Sequence, residues 1–154
     1  MQKVVITGHD LTVDQIIAVC REGAEVVLSD ESREKILASR QVVNELVEER
    51  KVVYGITTGF GKFSDVVISQ DECKLLQKNL IITHAVGAGD PFKEDIARGI
   101  LLLRVNSLSN GFSGICLETV ETMIAMLNKG VTPFIPEKGS LGASGDLAPL
   151  SHMV

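Results

Sequence analysis

Residues 139–146 read GSLGASGD, with glycines at 139, 142 and 145, the last two flanking Ala143-Ser144. Glycine at that density marks backbone that must adopt angles, or approach distances, that a Cβ forbids. Several uses of such a loop can be weighed. A phosphate cradle wants GxxxxGK[ST], but no lysine follows the last glycine here, and prolines rather than a clear strand precede the loop. A serine-hydrolase elbow wants GxSxG, and its final glycine is replaced by Asp146. Backbone cyclisation suits the residues better. Attack of the Gly145 amide nitrogen on the carbonyl carbon of Ala143 closes a five-membered ring. Loss of water from the ring, and of the Ser144 hydroxyl by elimination, leaves an exocyclic methylidene, an electrophile that no unmodified side chain provides. Gly145 lacks the Cβ that would obstruct the approach, and Ala143 is small. A plain turn into a helix, with Asp146 near the N-cap, accounts for the same residues without chemistry.

Two further residues could act with this loop. Tyr54, the one tyrosine of the chain, stands in VVYGITTGFGKF beside Gly55, Gly59 and Gly61. His84 ends LQKNLIITH and shares a helix face with Gln77, seven residues earlier. Taken alone, a tyrosine at a glycine turn packs, and a histidine on an apolar helix is a hydrogen-bonded core residue. His9 reads as an exposed turn residue and His152 as a bystander downstream of the loop. Cys20, Cys73 and Cys116 are odd in number and far apart, with no CxxC or Cys/His ligand spacing. Neither a disulfide framework nor a zinc site is expected, and each cysteine reads as a small buried hydrophobe.

The elements that must position these residues are mostly helical. Thr12 and Gln15 form a capping box for a helix that Gly23 ends. A short β-branched run, AEVVLS, follows, and Ser29 or Asp30 caps a long helix with Ile36, Leu37, Val43, Leu46 and Val47 on one face. VVYGITTGFGKF predicts a strand end running into a tight loop. Ser69 and Glu72 predict a capping box for the helix carrying Leu75, Leu76, Leu80, Ile81 and His84, which Gly87 and Gly89 stop. EDIARGILLLRVNSLSNG is apolar nearly all round and predicts a helix buried in a bundle. A last long helix is capped by Ser113 and closed by Gly130, and Pro133 and Pro136 lead into the final loop. The chain is mainly α, with short strands and two glycine-rich loops at 55–66 and 137–146.

GSLGASGDLAPLSHM resembles the signature of the aromatic amino acid lyases, whose Ala-Ser-Gly becomes 4-methylidene-imidazol-5-one. YGITTGFG resembles the family's tyrosine loop, LQKNLIITHAVGAG its substrate-facing helix, and RVNSLSNGFSGI a further family segment, in family order. The resemblance implies the amino-terminal domain of the fumarase/aspartase-like helical fold, occupying residues 1–154 and ending before the central helical bundle. It implies a cofactor built from Ala143, Ser144 and Gly145, with no external cofactor and no metal. Tyr54 matches the tyrosine that removes the substrate's β-proton. A phenol of free pKa about 10 must be depressed by its site for that role. His84 and Ala85 resemble the pair that receives the ring in the family's histidine-using members, which predicts elimination of ammonia from L-histidine to urocanate. Phenylalanine or tyrosine as substrate, or an aminomutase reaction, is the alternative within the family. Arg104 and Asn106 belong to the third block without a specific role.

The bulk properties agree with a soluble, helix-leaning globular protein, and the resemblance implies a small-molecule amino acid as substrate. The net charge is −5, and no basic block or interleaved aromatic run suits nucleic acid. The most apolar stretch, GILLLRVNSL, is broken by Arg104 and Asn106, so no membrane span is expected, and no secretory leader is read at the amino terminus. A cytoplasmic homo-oligomer, tetrameric for the full-length family, is the expectation. Its counterpart outside enzymology is a truncated, non-catalytic piece that folds and self-associates to hide GILLLRVNSL and ICLETVETMIAML.

Overall fold

A computed structural model describes residues 2–59 and 70–153. Strand β1 (Lys3–Ile6), helix α1 (Val13–Arg21) and strand β2 (Glu25–Leu28) come first, and β1 and β2 pair in parallel with Val4 opposite Val26. Both strands alternate, so Val4, Ile6, Val26 and Leu28 face the core. β1 was not anticipated. The Thr12 capping box forms as expected, its hydroxyl taking the Gln15 N–H while the Gln15 side chain returns to the Thr12 N–H. The outer edge of β2 is met by Asn128, whose amide pairs with both the N–H and the carbonyl of Val26 at 2.8 Å.

Helix α2 (Asp30–Glu48) starts at Ser29, whose hydroxyl accepts from the Ser32 N–H. Helix α3 (Gln70–His84) precedes strand β3 (Ala88–Pro91) and helix α4 (Glu94–Leu108). Ser69, and with it the expected Ser69–Glu72 box, lies outside the described residues, as do the rest of residues 60–69 and the Cys73 side chain. Helix α4 buries Ala97, Leu101, Leu102, Val105 and Leu108, but Ile96 and Leu103 are exposed. The expectation of a helix enclosed on all sides is therefore corrected, since α1 and α5 cover only part of its circumference. Arg98 is buried on the covered side and donates to the Val19 carbonyl at 3.0 Å, near the end of α1. Beside it Cys20 is half-buried, and burial is the main influence raising its thiol pKa, so it is a weak nucleophile.

Helix α5 (Leu117–Lys129) packs on α4 and β2, and strand β4 (Pro136–Lys138) and short helix α6 (Leu147–Ser151) complete the chain. Ser113 does not cap α5. The helix starts later, with Cys116 at the N-cap and no side-chain bond there, because 110–114 wraps against α2 instead. Gly111 in that turn has φ +73°, and a Cβ on it would meet the Lys35 backbone at 2.6 Å. Gly130 closes α5 in the left-handed conformation, as expected. Strands β3 and β4 pair antiparallel, Ala88 opposite Lys138 and Pro91 opposite Pro136, which ties the chain after α3 to the chain before the Ala-Ser-Gly loop.

Candidate active site

The loop between β4 and α6 carries Ala143, Ser144 and Gly145. Gly139, Gly142 and Gly145 all have positive φ, +126°, +102° and +70°. The Ser140 hydroxyl donates to the Gly145 carbonyl, and a Cβ on Gly145 would stand 2.8 Å from that oxygen. The φ of Gly145 therefore favours glycine here, and a Cβ would in addition displace the Ser140 hydroxyl from its bond. Ala143 and Ser144 are exposed, while Gly145 is half-buried. Asp146 occupies the N-cap of α6 in a helical conformation and makes no side-chain cap bond, so the loop's shape is not owed to capping. Behind the loop lies a cavity of about 310 Å³, lined in part by Ser140, Gly145, Gly87, Phe92 and His152.

His84 sits in the last turn of α3. Its Nδ1 contacts the Leu80 carbonyl at 2.7 Å, an acceptor, so Nδ1 carries the proton. Nε2 has no hydrogen-bond partner among the described residues. From His84 the chain runs to Gly87, whose N–H donates to His152 Nε2 at 2.9 Å. A Cβ on Gly87 would lie 2.8 Å from that nitrogen and 2.8 Å from Pro136 Cγ. Gly87→Ala is expected to cost about 1–3 kcal/mol, through overpacking and loss of this bond, measured as a lowered urea midpoint with an unchanged m-value.

Tyr54 is placed differently. The predicted strand end is absent, and residues 54–57 form a turn. Thr57 takes the Val53 N–H and donates to the Lys51 carbonyl, and Thr58 takes the Gly55 N–H. These hydroxyls satisfy backbone groups that a neighbouring strand would otherwise have paired. Tyr54 is 61% exposed, and Ile56 of the same turn lines an open cavity together with Val42, Val43 and Leu46 of α2 and Phe112. The structure thus joins the His84–Gly87 strip to the Ala-Ser-Gly loop, whereas Tyr54 is not among the residues lining the cavity behind Gly145. His152 is the site residue that sequence reasoning passed over. Its only sequence signal was a histidine within an apolar phrase, LAPLSHMV. Asn106 Oδ1 is buried with no hydrogen-bond partner among the described residues. Among the described residues no three His, Cys, Asp or Glu side chains cluster to hold a metal ion, and no helix is long and apolar enough to cross a membrane.

The family model for aromatic amino acid lyases matches residues 11–154. The chain belongs to the aromatic amino acid lyase family. It is 63% identical over 154 residues to a histidine ammonia-lyase of Alkaliphilus oremlandii, covering 100% of this chain and 30% of that protein. Among solved structures it is similar to histidine ammonia-lyase from Trypanosoma cruzi, with TM-score 0.90 and 42% identity over 99% of this chain and 29% of that one. It is also similar to the ergothionase of Treponema denticola, with TM-score 0.93 and 31% identity over 98% of this chain and 30% of that one. The chain spans about 30% of the length of the curated relatives it matches.

Proposed function

We propose that residues 1–154 form the amino-terminal domain of a histidine ammonia-lyase, which eliminates ammonia from L-histidine to give urocanate. The observation that carries this reading is the identity of 63% across the whole chain to a histidine ammonia-lyase, against 31% to the ergothionase. Ala143, Ser144 and Gly145 are the residues that would become the methylidene-imidazolone. Their fit rests on Gly145, whose φ of +70° is a backbone angle that a residue with a Cβ rarely adopts. That group, once formed, supplies an electrophile that turns the substrate's amine into a leaving group.

The remaining chemistry belongs to side chains. The substrate's imidazole is received at His84, where the Nδ1–H bond to Leu80 fixes the ring and aims a lone-pair nitrogen outward. An imidazole N–H of the substrate can donate to that nitrogen, whereas the phenyl ring of phenylalanine has no donor to offer. Tyr54 removes the β-proton at its phenolic oxygen. The enzyme works as a cytoplasmic homo-oligomer, and sedimentation as a well-behaved monomer at high concentration would contradict that assembly.

The test is a chimera in which this chain replaces the matching 154 residues of the Alkaliphilus oremlandii relative. L-Histidine should give urocanate absorbance. Cinnamate from phenylalanine with no urocanate would overturn the substrate. His84→Leu in the chimera is expected to lower kcat/KM for L-histidine about 10–100-fold, the worth of one directed hydrogen bond, as read from steady-state rates.

A further inference from the structure

Two separate pieces of chain bear the proposed chemistry, the strip 84–87 and the loop 139–146, and one side chain joins them. His152 stands at the C-cap of α6, where its backbone N–H donates to the Ala148 carbonyl at 3.2 Å. Its ring reaches away from α6, and Nε2 lies 2.9 Å from the Gly87 nitrogen. A backbone amide only donates, so Nε2 holds a lone pair and the neutral ring carries its proton on Nδ1. Gly87 stands one residue before β3, at a point where no ladder partner takes its N–H.

The surroundings leave this contact little freedom. A Cβ on Gly139, in the loop, would lie 2.8 Å from Gly87 Cα, and Pro136 of β4 closes the other side of Gly87. Ring, strip and loop are therefore in mutual contact around one hydrogen bond. The charged groups lining the shared cavity are Glu137 and Lys138 from β4 and Asp146 from the loop; His84 is the basic residue in the last turn of α3, three residues before Gly87. None of them pairs with the His152 ring among the described residues.

We propose that His152 is a positioning residue for the lyase reaction. Its lone pair holds the His84–Gly87 strip against the 139–146 loop, and so fixes where a ring bound at His84 stands relative to Ala143, Ser144 and Gly145. A displacement near 1 Å between two such groups lowers a rate about 10²-fold. The kinetic consequence rests on the histidine ammonia-lyase reading, whereas the hydrogen bond does not.

Two variants separate the acceptor from the ring's bulk. His152→Phe keeps the volume and removes the lone pair, and His152→Gln returns an acceptor oxygen near the place of Nε2. In the 154-residue chain, amide hydrogen exchange at Gly87 should be slow for the parent and for His152→Gln, and at least about tenfold faster for His152→Phe. In the chimera, kcat for urocanate should fall about 10²-fold in His152→Phe with KM nearly unchanged, and His152→Gln should recover most of it. Equal kcat in the two variants, or lowered melting temperatures with kcat of the folded protein unaltered, would overturn the positioning role. Fast exchange at Gly87 in an active parent overturns it as well. A parent chimera that makes no urocanate overturns the enzyme reading instead, and Gly87 exchange then reports on the bond alone.

Discussion

Replacing Ser144 with alanine should abolish urocanate formation by the chimera, a loss of at least about 10³-fold in kcat, without unfolding it. Ser144 is exposed and makes none of the hydrogen bonds described around the loop, so its hydroxyl contributes little to stability. Its proposed use is to leave. Elimination of that hydroxyl is what creates the methylidene, and alanine has nothing to eliminate. A loss this large follows because the electrophile supplies chemistry that no neighbouring side chain can replace. Steady-state rates with L-histidine, set beside melting temperatures of parent and variant, make the measurement. A Ser144→Ala chimera retaining a tenth of the parent's kcat would place the electrophile elsewhere.

Tyr54→Phe should lower kcat about 10²–10⁴-fold and leave KM within a few-fold, the pattern of a lost general base rather than lost binding. The phenol of Tyr54 is mostly exposed in this chain, and its turn is held by Thr57 and Thr58. Melting temperatures of the parent and Tyr54→Phe chimeras separate lost chemistry from lost stability. A drop smaller than tenfold would assign the β-proton to another base. A rise in KM with kcat unchanged would reduce Tyr54 to a substrate contact.

The parts of the fold that could be read from the sequence are those decided locally. The Thr12–Gln15 box, the Ser29 cap and the Gly130 stop each depend on neighbours within one helical turn, and each forms. The β3–β4 pair could not be read. AGDP and PEK contain no β-branched residue, and their pairing joins segments far apart in sequence, alongside the contact of α3 with α6. Ser113 fits a capping pattern, yet the 110–114 turn is committed to α2, through Arg40 and Ser39, and the helix begins beyond it. The strand expected before Tyr54 fails for a similar reason, as threonine hydroxyls take its backbone groups.

The site divides along the same line. Ala143, Ser144, Gly145, Tyr54 and His84 could be proposed from the sequence because cyclisation dictates residue types in a row, and because four blocks resemble one family in order. His152 was not legible. Its partner is the backbone of Gly87, 65 residues away, and a backbone N–H leaves no signature in a sequence. What the fold adds is the joining of two blocks, at Gly87 and Gly139, where no Cβ fits.

The central claim is that Ala143-Ser144-Gly145 matures into an electrophile. The most direct test is the intact mass of the parent chimera, with the tryptic peptide containing residues 139–146 used to locate any change. The account predicts a species lighter than its sequence by two waters, with the loss confined to that peptide and absent from Ser144→Ala. An unmodified mass in a chimera that nevertheless turns L-histidine into urocanate would contradict it.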